Sequence, residues 1–220
     1  QYPIVLVTGS RQVGKSTLMH NFINDGYTYL SFDTSSVYEE AKKSPSDFLN
    51  KYQPPLILDE VQKLPELFNE IVCRVNQIRM NNPESNPSGL YILTGSQKYS
   101  LMKHVTESMA GRVGIIEMTP LSQAELKDWN PEYFKVDENR LYELSRTRSL
   151  STEELYDSII TGFYPQRWKI KGEKIKDFYA NYLTTYIERD VSQLINLKDK
   201  TKFESFVKYL ATLTTCDYIP

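Results

Sequence analysis

The chain has 220 residues, of which 40% are hydrophobic and 25% charged, and its formal net charge at pH 7 is −2. This length and composition are ordinary for a globular protein, and they allow one α/β domain with a smaller appendage that folds without disulfides. A dedicated nucleic-acid-binding module is usually basic, so the charge balance argues against that class while leaving a local basic patch open.

No apolar run in the sequence approaches the roughly 20 residues that a membrane-spanning helix needs. The two cysteines, Cys73 and Cys216, lie far apart without metal-ligand spacing, and we expect reduced thiols in a cytoplasmic protein that has no membrane partner. The chain begins almost directly on a predicted strand and ends without a helix cap. We therefore expect further sequence beyond Gln1 and Pro220.

Apolar, β-branched runs alternate with amphipathic stretches over residues 4–128. The runs predict strands over residues 4–8, 27–32, 56–58, 90–93 and 113–118. The amphipathic stretches predict helices over 16–23, 38–52 with a break at 44–45, 64–80, 101–110 and 120–128. This alternation favours an α/β fold with a mostly parallel sheet of about five strands and helices on both faces.

The strand pattern stops after about residue 130, and the rest of the chain has helical periodicity. We assign residues 1–135 to the α/β core and the polar stretch 136–152 to a linker. Residues 153–220 would form a smaller helical region whose aromatic stripes pack in a core, and we expect this C-terminal part to be incomplete.

The loop after the first predicted strand has the spacing of a phosphate-binding P-loop. Its residues are Gly9, Ser10, Arg11, Gln12, Val13, Gly14, Lys15 and Ser16. The two glycines let main-chain N–H groups surround phosphates, and the following helix turns its positive end toward them. The buried strand before the loop and the apolar helix after it argue against a chance glycine–lysine turn.

The P-loop spacing assigns a role to each polar side chain. We expect Lys15 to contact the β- and γ-phosphates of ATP and Ser16 to offer its hydroxyl to Mg²⁺. Thr17 would cap the helix or contact the side of the α-phosphate. Arg11 either covers the phosphates or is solvated, and the second alternative is slightly favoured.

Two acidic residues, Asp59 and Glu60, follow the third predicted strand. In parallel sheets, phosphate sites lie beyond the carboxyl ends of the strands, where Gly9, Asp59 and Ser96 are all expected. We expect Asp59 to hold Mg²⁺ through a water and Glu60 to act as the general base for the attacking water. The alternative is a pair of acids beside a helix N-terminus, which a neighbouring P-loop disfavours.

The polar stretch 94–97 follows the fourth predicted strand. A side chain here would lie between the acidic pair Asp59–Glu60 and the γ-phosphate. It would respond to the loss of that phosphate. Ser96 is the first candidate, before Thr94 and Gln97. An equally weighted alternative makes Ser96 the N-cap of the next helix.

Arg112 directly precedes the fifth predicted strand. An arginine close to the γ-phosphate stabilises the charge of the transition state, either within its own chain or from a neighbouring subunit of a homo-oligomer. The competing interpretation, which we favour, is a surface or interface ion pair.

A basic run surrounds Trp168. Its members are Arg167, Lys169, Lys171, Lys174 and Lys176. Such a run with an aromatic residue is able to contact nucleic-acid phosphates. A solvated helix start is the more frequent explanation. His20 and His104 lack carboxylate or cysteine partners at ligand spacing, and we assign them no metal.

The motifs together resemble the uncharacterised prokaryotic AAA-domain family of predicted ATPases. They lie at residues 9–18, 58–67, 93–97, 107–113, 162–165 and 185–191, so the resemblance covers nearly the whole chain. It implies an AAA-like P-loop NTPase core in which Asp59 and Glu60 form the Walker B pair. It also implies that a winged-helix segment and a C-terminal domain of unknown function follow, neither of which we recognise here. Ser10 stands where many members carry proline.

Three functions compete on these observations. The first is an ATPase that acts as a switch or motor, with the helical region responding to hydrolysis and with a protein or nucleic acid as partner. The second is a nucleotide-gated binding or scaffold module with little hydrolysis. The third is a small-molecule or nucleotide kinase, which Glu60 disfavours because a second acid beside Asp59 suits water as the acceptor.

Overall fold

A parallel sheet lies at the centre of the computed structural model, which describes residues 2–81, 87–96, 101, 109, 111–130, 136–170, 172, 174–186, 191 and 199–213. The sheet order is β2-β3-β4-β1-β5, and every pair of neighbours is parallel. Its strands are β1 Ile4–Thr8, β2 Thr28–Ser31, β3 Leu56–Asp59, β4 Tyr91–Gly95 and β5 Val113–Glu117. The predicted parallel sheet of about five strands is confirmed.

The helices of the described residues follow the strands in alternation over the first part of the chain. They are α1 Lys15–Asn21, α2 Ser35–Lys43, α3 Pro45–Lys51, α4 Glu66–Asn81, α5 Gln123–Leu126, α6 Glu138–Thr147, α7 Thr152–Thr161, α8 Lys174–Tyr186 and α9 Lys200–Thr212. Short 3₁₀ turns cover Phe22–Asp25, Val61–Lys63 and Pro165–Lys169. The predicted break at 44–45 separates α2 from α3, where the Ser44 side chain accepts a hydrogen bond from Asp47 N.

The inner strands β1, β3 and β4 are buried on both faces, because alternate side chains point to opposite sides of the sheet and both sides are covered. The edge strand β5 is more exposed. On one face, Leu6 and Leu58 pack with Phe68 and Ile71 of α4 in the larger hydrophobic cluster. On the other face, Val7, Ile57 and Ile92 pack with Met19 of α1 in a smaller cluster. Helices on both faces were predicted, and burial on both faces explains why the inner strands have continuous apolar sequences.

The chain divides into two compact units. The first comprises Gln1–Glu154 with Phe163–Pro165, and the second comprises Leu155–Gly162 with Gln166–Pro220. The predicted limits at 135 and 152 remain predictions. Where we expected a linker, the structure has helix α6. Its N-cap is Asp137, whose carboxylate accepts a hydrogen bond from Arg140 N, and none of its residues is buried.

The described part of the second unit is helical. Tyr179 donates its hydroxyl proton to the Thr161 carbonyl oxygen at 2.6 Å. A Cβ on Gly162 would lie 2.2 Å from that hydroxyl, which explains the glycine. Throughout the ranges that the structure describes, no helix has the length and apolar character needed to cross a membrane.

The predicted basic run lies within the second unit, and Lys171 falls outside the described residues. Arg167 is buried rather than solvated. Its guanidinium stacks over the Trp168 ring at 4.4 Å and lies 3.8 Å from Asp157 Oδ2. The pairing with Asp157 gives Arg167 a place in the packing of the unit, so neither the nucleic-acid contact nor the solvated helix start describes this member of the run.

Candidate functional site

The P-loop leaves the carboxyl end of β1, which lies between β4 and β5 in the sheet. Its backbone has positive φ angles of 148° at Gly9, 63° at Gln12 and 100° at Gly14. A Cβ on Gly9 would lie 2.2 Å from the main-chain oxygen of Met118, so a side chain there would push apart β1 and the segment after β5. Sterics as well as conformation therefore require glycine at this position.

The side chains of the loop differ in their exposure. Ser10, Gln12 and Thr17 are exposed, Arg11 is half-buried, and Val13 is buried. Val13 therefore offers a ligand only its main-chain groups. A Cβ on Gly14 would lie in ordinary van der Waals contact, 3.6 Å from a Met118 side-chain carbon and 3.9 Å from one of Pro165.

The Lys15 ammonium group lies against the loop that carries it. It donates hydrogen bonds to the carbonyl oxygens of Gly9 and Ser10, each at 2.8 Å. The side chain is only 6% exposed, although lysine is rarely buried. These bonds fix a positive charge next to the main-chain amides that the sequence assigns to phosphate binding.

Four donors surround the Asp59 carboxylate, which is 4% exposed. Oδ2 accepts hydrogen bonds from Ser16 Oγ at 2.9 Å and from Tyr29 Oη at 2.6 Å. Oδ1 accepts from Glu60 N at 3.1 Å and from Thr94 Oγ1. Because an ionised carboxylate has about four lone-pair positions, these four donors fix its orientation, and a metal ligand would have to replace one of them.

Tyr29 reaches Asp59 from β2, the neighbour of β3. Burial raises the pKa of Tyr29 above its ordinary value, and the hydrogen bond to Asp59 raises it further. The hydroxyl therefore stays protonated and acts as a donor. The ring stacks against His20 of α1, with 4.8 Å between the ring centroids. The sequence analysis did not identify Tyr29. It lies in β2 two residues before Ser31, which the register places beside Asp59, so only the strand pairing points to it.

Glu60 follows Asp59 in the left-handed region, with φ 57° and ψ 39°. Few residues other than glycine adopt this conformation, and such outliers cluster at functional sites. One oxygen of its carboxylate, Oε2, accepts a hydrogen bond from Gln62 Nε2. Gln62 was also missed, since a glutamine two residues after an acid carries no motif.

Two residues with hydroxyl groups, Thr94 and Ser96, lie at the carboxyl end of β4. Thr94, the second candidate from the sequence, is the residue that contacts Asp59. Ser96, the first candidate, is half-buried just beyond the strand, and its Oγ atom is buried without a hydrogen-bond partner among the described residues. The parallel register, with Leu58 beside Leu93, explains why Thr94 comes next to Asp59. Gln97 lies outside the described residues.

Arg112 lies at the amino ends of the strands, whereas the P-loop lies at their carboxyl ends. The register pairs Val113 with Ile4 at the start of β1, whereas the P-loop follows the end of β1. At about 3.3 Å per residue, the length of β1 separates the amino and carboxyl ends of the strands by roughly 16 Å. Arg112 Nε donates instead to Asn76 Oδ1 of α4 at 2.8 Å. This placement argues against a role for Arg112 at the phosphates of its own chain.

The residues present fit Mg²⁺ bound together with a triphosphate. No group of three or more His, Cys, Asp or Glu occurs within the described ranges to form an all-protein metal cage. Mg²⁺ bound with a nucleotide needs only one or two protein oxygens, because phosphates and waters complete its shell. Ser16 and Asp59 would supply such oxygens. The buried Oγ1 of Thr8 and Oγ of Ser96, for which the described residues hold no partner, leave polar atoms unsatisfied at neighbouring strand ends.

Two solved structures are similar to the chain. One is the Walker-type ATPase PABY2304 of Pyrococcus abyssi, at 16% identity and a TM-score of 0.44, covering 86% of this chain and 70% of that one. The other is the ORC2 protein of Aeropyrum pernix in its ADP form, at 14% identity and a TM-score of 0.36, covering 72% and 51%. Both likenesses are distant, and the fold assignment stands on the sheet and P-loop themselves.

Two curated relatives are uncharacterized mycobacterial proteins, Mb2031c of Mycobacterium bovis and Rv2008c of Mycobacterium tuberculosis. Each is 26% identical over 193 residues, which is 87% of this chain and 37% of the relative. The chain therefore spans little more than a third of the length of these proteins.

Two family models match the chain. A domain of unknown function (DUF8612) matches residues 152–219, the stretch in which the sequence had suggested only a helical region. The AAA domain matches residues 1–127, which contain the whole sheet, the P-loop and the acidic pair. With more than half of its length matched, and with a P-loop at the carboxyl edge of a parallel sheet, the chain belongs to the AAA domain family.

Proposed function

We propose that the chain binds ATP with Mg²⁺ and hydrolyses it, and that it acts as a switch or motor. The observation that carries this proposal is the contact between Ser16 Oγ and Asp59 Oδ2 at 2.9 Å. It joins the P-loop to the acidic strand end across 43 positions of sequence, at the one edge of a parallel sheet where phosphate sites form.

The residues would divide the work as follows. The main-chain amides of the loop 9–16 and the Lys15 ammonium bind the phosphates, and Thr17 lies at the start of the same helix. Ser16 and Asp59 hold Mg²⁺, which when bound neutralises charge on the phosphate oxygens. Glu60, the acid next to Asp59, accepts a proton from the attacking water.

ATP hydrolysis by a switch or motor needs a partner that responds to it. The proposed partner is a protein or a nucleic acid, and the proposed assembly is a homo-oligomer. In a homo-oligomer, Arg112 would act on a neighbouring subunit, since it lies at the far edge of the sheet from its own P-loop. A pull-down with Glu60→Gln in ATP would retain the partner if hydrolysis releases it.

Phosphate release tests the proposal directly. We expect wild type to release phosphate in a Mg²⁺-dependent reaction and Glu60→Gln to lose roughly 100-fold or more of that rate while still binding ATP, because general-base catalysis contributes about 10²–10⁴. Glu66→Gln, which removes an exposed acid at the start of α4, is the matched control. ATP binding with equal, negligible release by wild type and Glu60→Gln would favour the nucleotide-gated binding module instead.

A further inference from the structure

Gln62 connects the acidic pair to the tip of the neighbouring strand β4. It stands in the 3₁₀ turn Val61–Lys63, which the buried Val61 side chain anchors in the larger hydrophobic cluster. Its amide nitrogen donates to Glu60 Oε2. Its amide oxygen Oε1 points the other way and is buried without a hydrogen-bond partner in the described part of the chain.

The amide oxygen of Gln62 occupies the space that a side chain on Gly95 would need. A Cβ on Gly95 would lie 2.2 Å from Gln62 Oε1 and 2.7 Å from Leu101 Cδ1. Gly95 is not among the glycines with positive φ, so its backbone conformation does not call for glycine. The glycine is therefore explained by the side chains packed against it.

Gly95 belongs to the strand end at which the proposed phosphate site lies. Its register partner in β1 is Thr8, the residue directly before the P-loop. The next residue, Ser96, carries a buried hydroxyl for which the described residues offer no partner. Gln62 thus spans from Glu60 to the strand end beside the P-loop.

We propose that Gln62 is a positioning residue for Glu60. Its amide fixes one carboxylate oxygen, so that the other, Oε1, is directed consistently at the attacking water. A free glutamate side chain samples several rotamers, and a general base works only when it is held within hydrogen-bond reach of the proton that it removes. Gly95 belongs to the same arrangement, because only glycine leaves room for the Gln62 amide. This inference rests on the proposed function of Glu60.

The test measures kcat, KM and ATP affinity of the full chain for wild type, Gln62→Leu and Gly95→Ala. We expect both variants to lower kcat about tenfold with ATP affinity unchanged, since they disturb the orientation of the base and not the binding of phosphate. In Gly95→Ala the new methyl group displaces the Gln62 amide and the buried Leu101, so we expect a loss of thermal stability, and kcat is compared at a temperature where the variant is folded. Gln53→Leu, which removes an exposed glutamine at the end of α3, is the control and should leave kcat unchanged.

A double variant separates this inference from the proposed function. In the Glu60→Gln background, Gln62→Leu should change kcat by no more than about twofold, because residues that act as a unit are not additive. If Glu60→Gln abolishes hydrolysis but Gln62→Leu equals or exceeds wild type in kcat, Gln62 does not position the base and only this inference fails. If wild type binds ATP without hydrolysing it, both proposals fail.

Discussion

Tyr29 Oη and Ser16 Oγ donate to the same oxygen of Asp59, Oδ2, at 2.6 and 2.9 Å. Ser16 belongs to the P-loop side of the proposed magnesium site. Tyr29 belongs to β2, which is separated from the P-loop strand β1 by β3 and β4. If the Ser16 oxygen bound a metal instead of Asp59, the Tyr29 hydroxyl would remain as the donor that orients Oδ2. Tyr29 would then set the direction in which Asp59 presents the vacated lone pair.

Replacing Tyr29 by phenylalanine should weaken the magnesium site. We expect the Mg²⁺ concentration that gives half-maximal ATP hydrolysis to rise severalfold, because loss of a partner contributing about 1 kcal/mol corresponds to roughly a fivefold change in affinity. The measurement is a Mg²⁺ titration at saturating ATP. Tyr52→Phe, whose hydroxyl donates to Glu40 rather than to Asp59, is the control. An identical Mg²⁺ requirement in Tyr29→Phe and wild type would contradict this role.

The elements that sequence predicted well are those in which local and tertiary signals agree. Strand β1 has the predicted bounds, since a strand buried on both faces leaves an unbroken apolar run between polar neighbours. Asp59 and Ser16 come together as expected, because the carboxyl ends of parallel strands share one edge. Their chemical roles remain predictions.

The contacts that the sequence did not predict depend on the register between strands and on the length of side chains. Hydrophobic periodicity carries no information on either. Thr94 rather than Ser96 contacts Asp59, because the register of β3 and β4 places them side by side. Arg112 is different, since the predicted strand 113–118 already implied that a residue before it lies at the edge away from the P-loop. Tyr29 carried no motif signal, because its hydroxyl reaches Asp59 only through the length of the side chain.

Replacing Lys15 by alanine should remove most of the ATP affinity. A hydrogen bond to a charged group contributes about 1.5–3 kcal/mol, so we expect the Kd to rise about 10- to 100-fold in an equilibrium titration. The Lys15 ammonium also holds the carbonyl oxygens of Gly9 and Ser10, so the variant loop loses part of its order before any ligand arrives. Lys43→Ala, an exposed lysine at the end of α2, should bind ATP like wild type. Unchanged binding by Lys15→Ala would mean that the phosphates bind elsewhere.

The buried hydroxyl of Tyr91 should destabilise the fold. The side chain is fully buried, and no described residue pairs with its oxygen. An unsatisfied buried polar group costs about 1–3 kcal/mol, so Tyr91→Phe should raise the free energy of unfolding by about 1 kcal/mol in urea. Tyr27→Phe is the matched opposite, because Tyr27 Oη donates to the Gly89 carbonyl oxygen at 2.7 Å and its removal should lower stability. Loss of stability in both variants would show that the Tyr91 hydroxyl has a partner in solution.

Alkaline pH should destabilise the protein partly through the same residue. Burial raises the pKa of Tyr91 above its ordinary value of 10.0. The unfolded chain therefore loses this proton near pH 10 while the folded chain keeps it, so the folded state binds more protons and its stability falls as pH rises further. Well below pH 10 the hydroxyl is protonated in both the folded and the unfolded chain, so its titration does not lower stability there. Tyr91→Phe should lose less stability than wild type between pH 9 and 11, measured by urea unfolding at each pH. Parallel curves for the two proteins would contradict the assignment.

Replacing Gly9 and Gly26 by alanine distinguishes the effect of backbone strain from that of steric conflict. Both have positive φ, 148° and 86°, but a Cβ on Gly9 would lie 2.2 Å from the Met118 main-chain oxygen, whereas one on Gly26 meets nothing within 4 Å. Alanine at either position should cost about 1–3 kcal/mol of stability through strain. Only Gly9→Ala should also abolish ATP binding, because the segment after β5 cannot yield without moving the P-loop. A titration of ATP against both variants at a temperature where both are folded checks this, and normal affinity in Gly9→Ala would show that the loop tolerates the displacement.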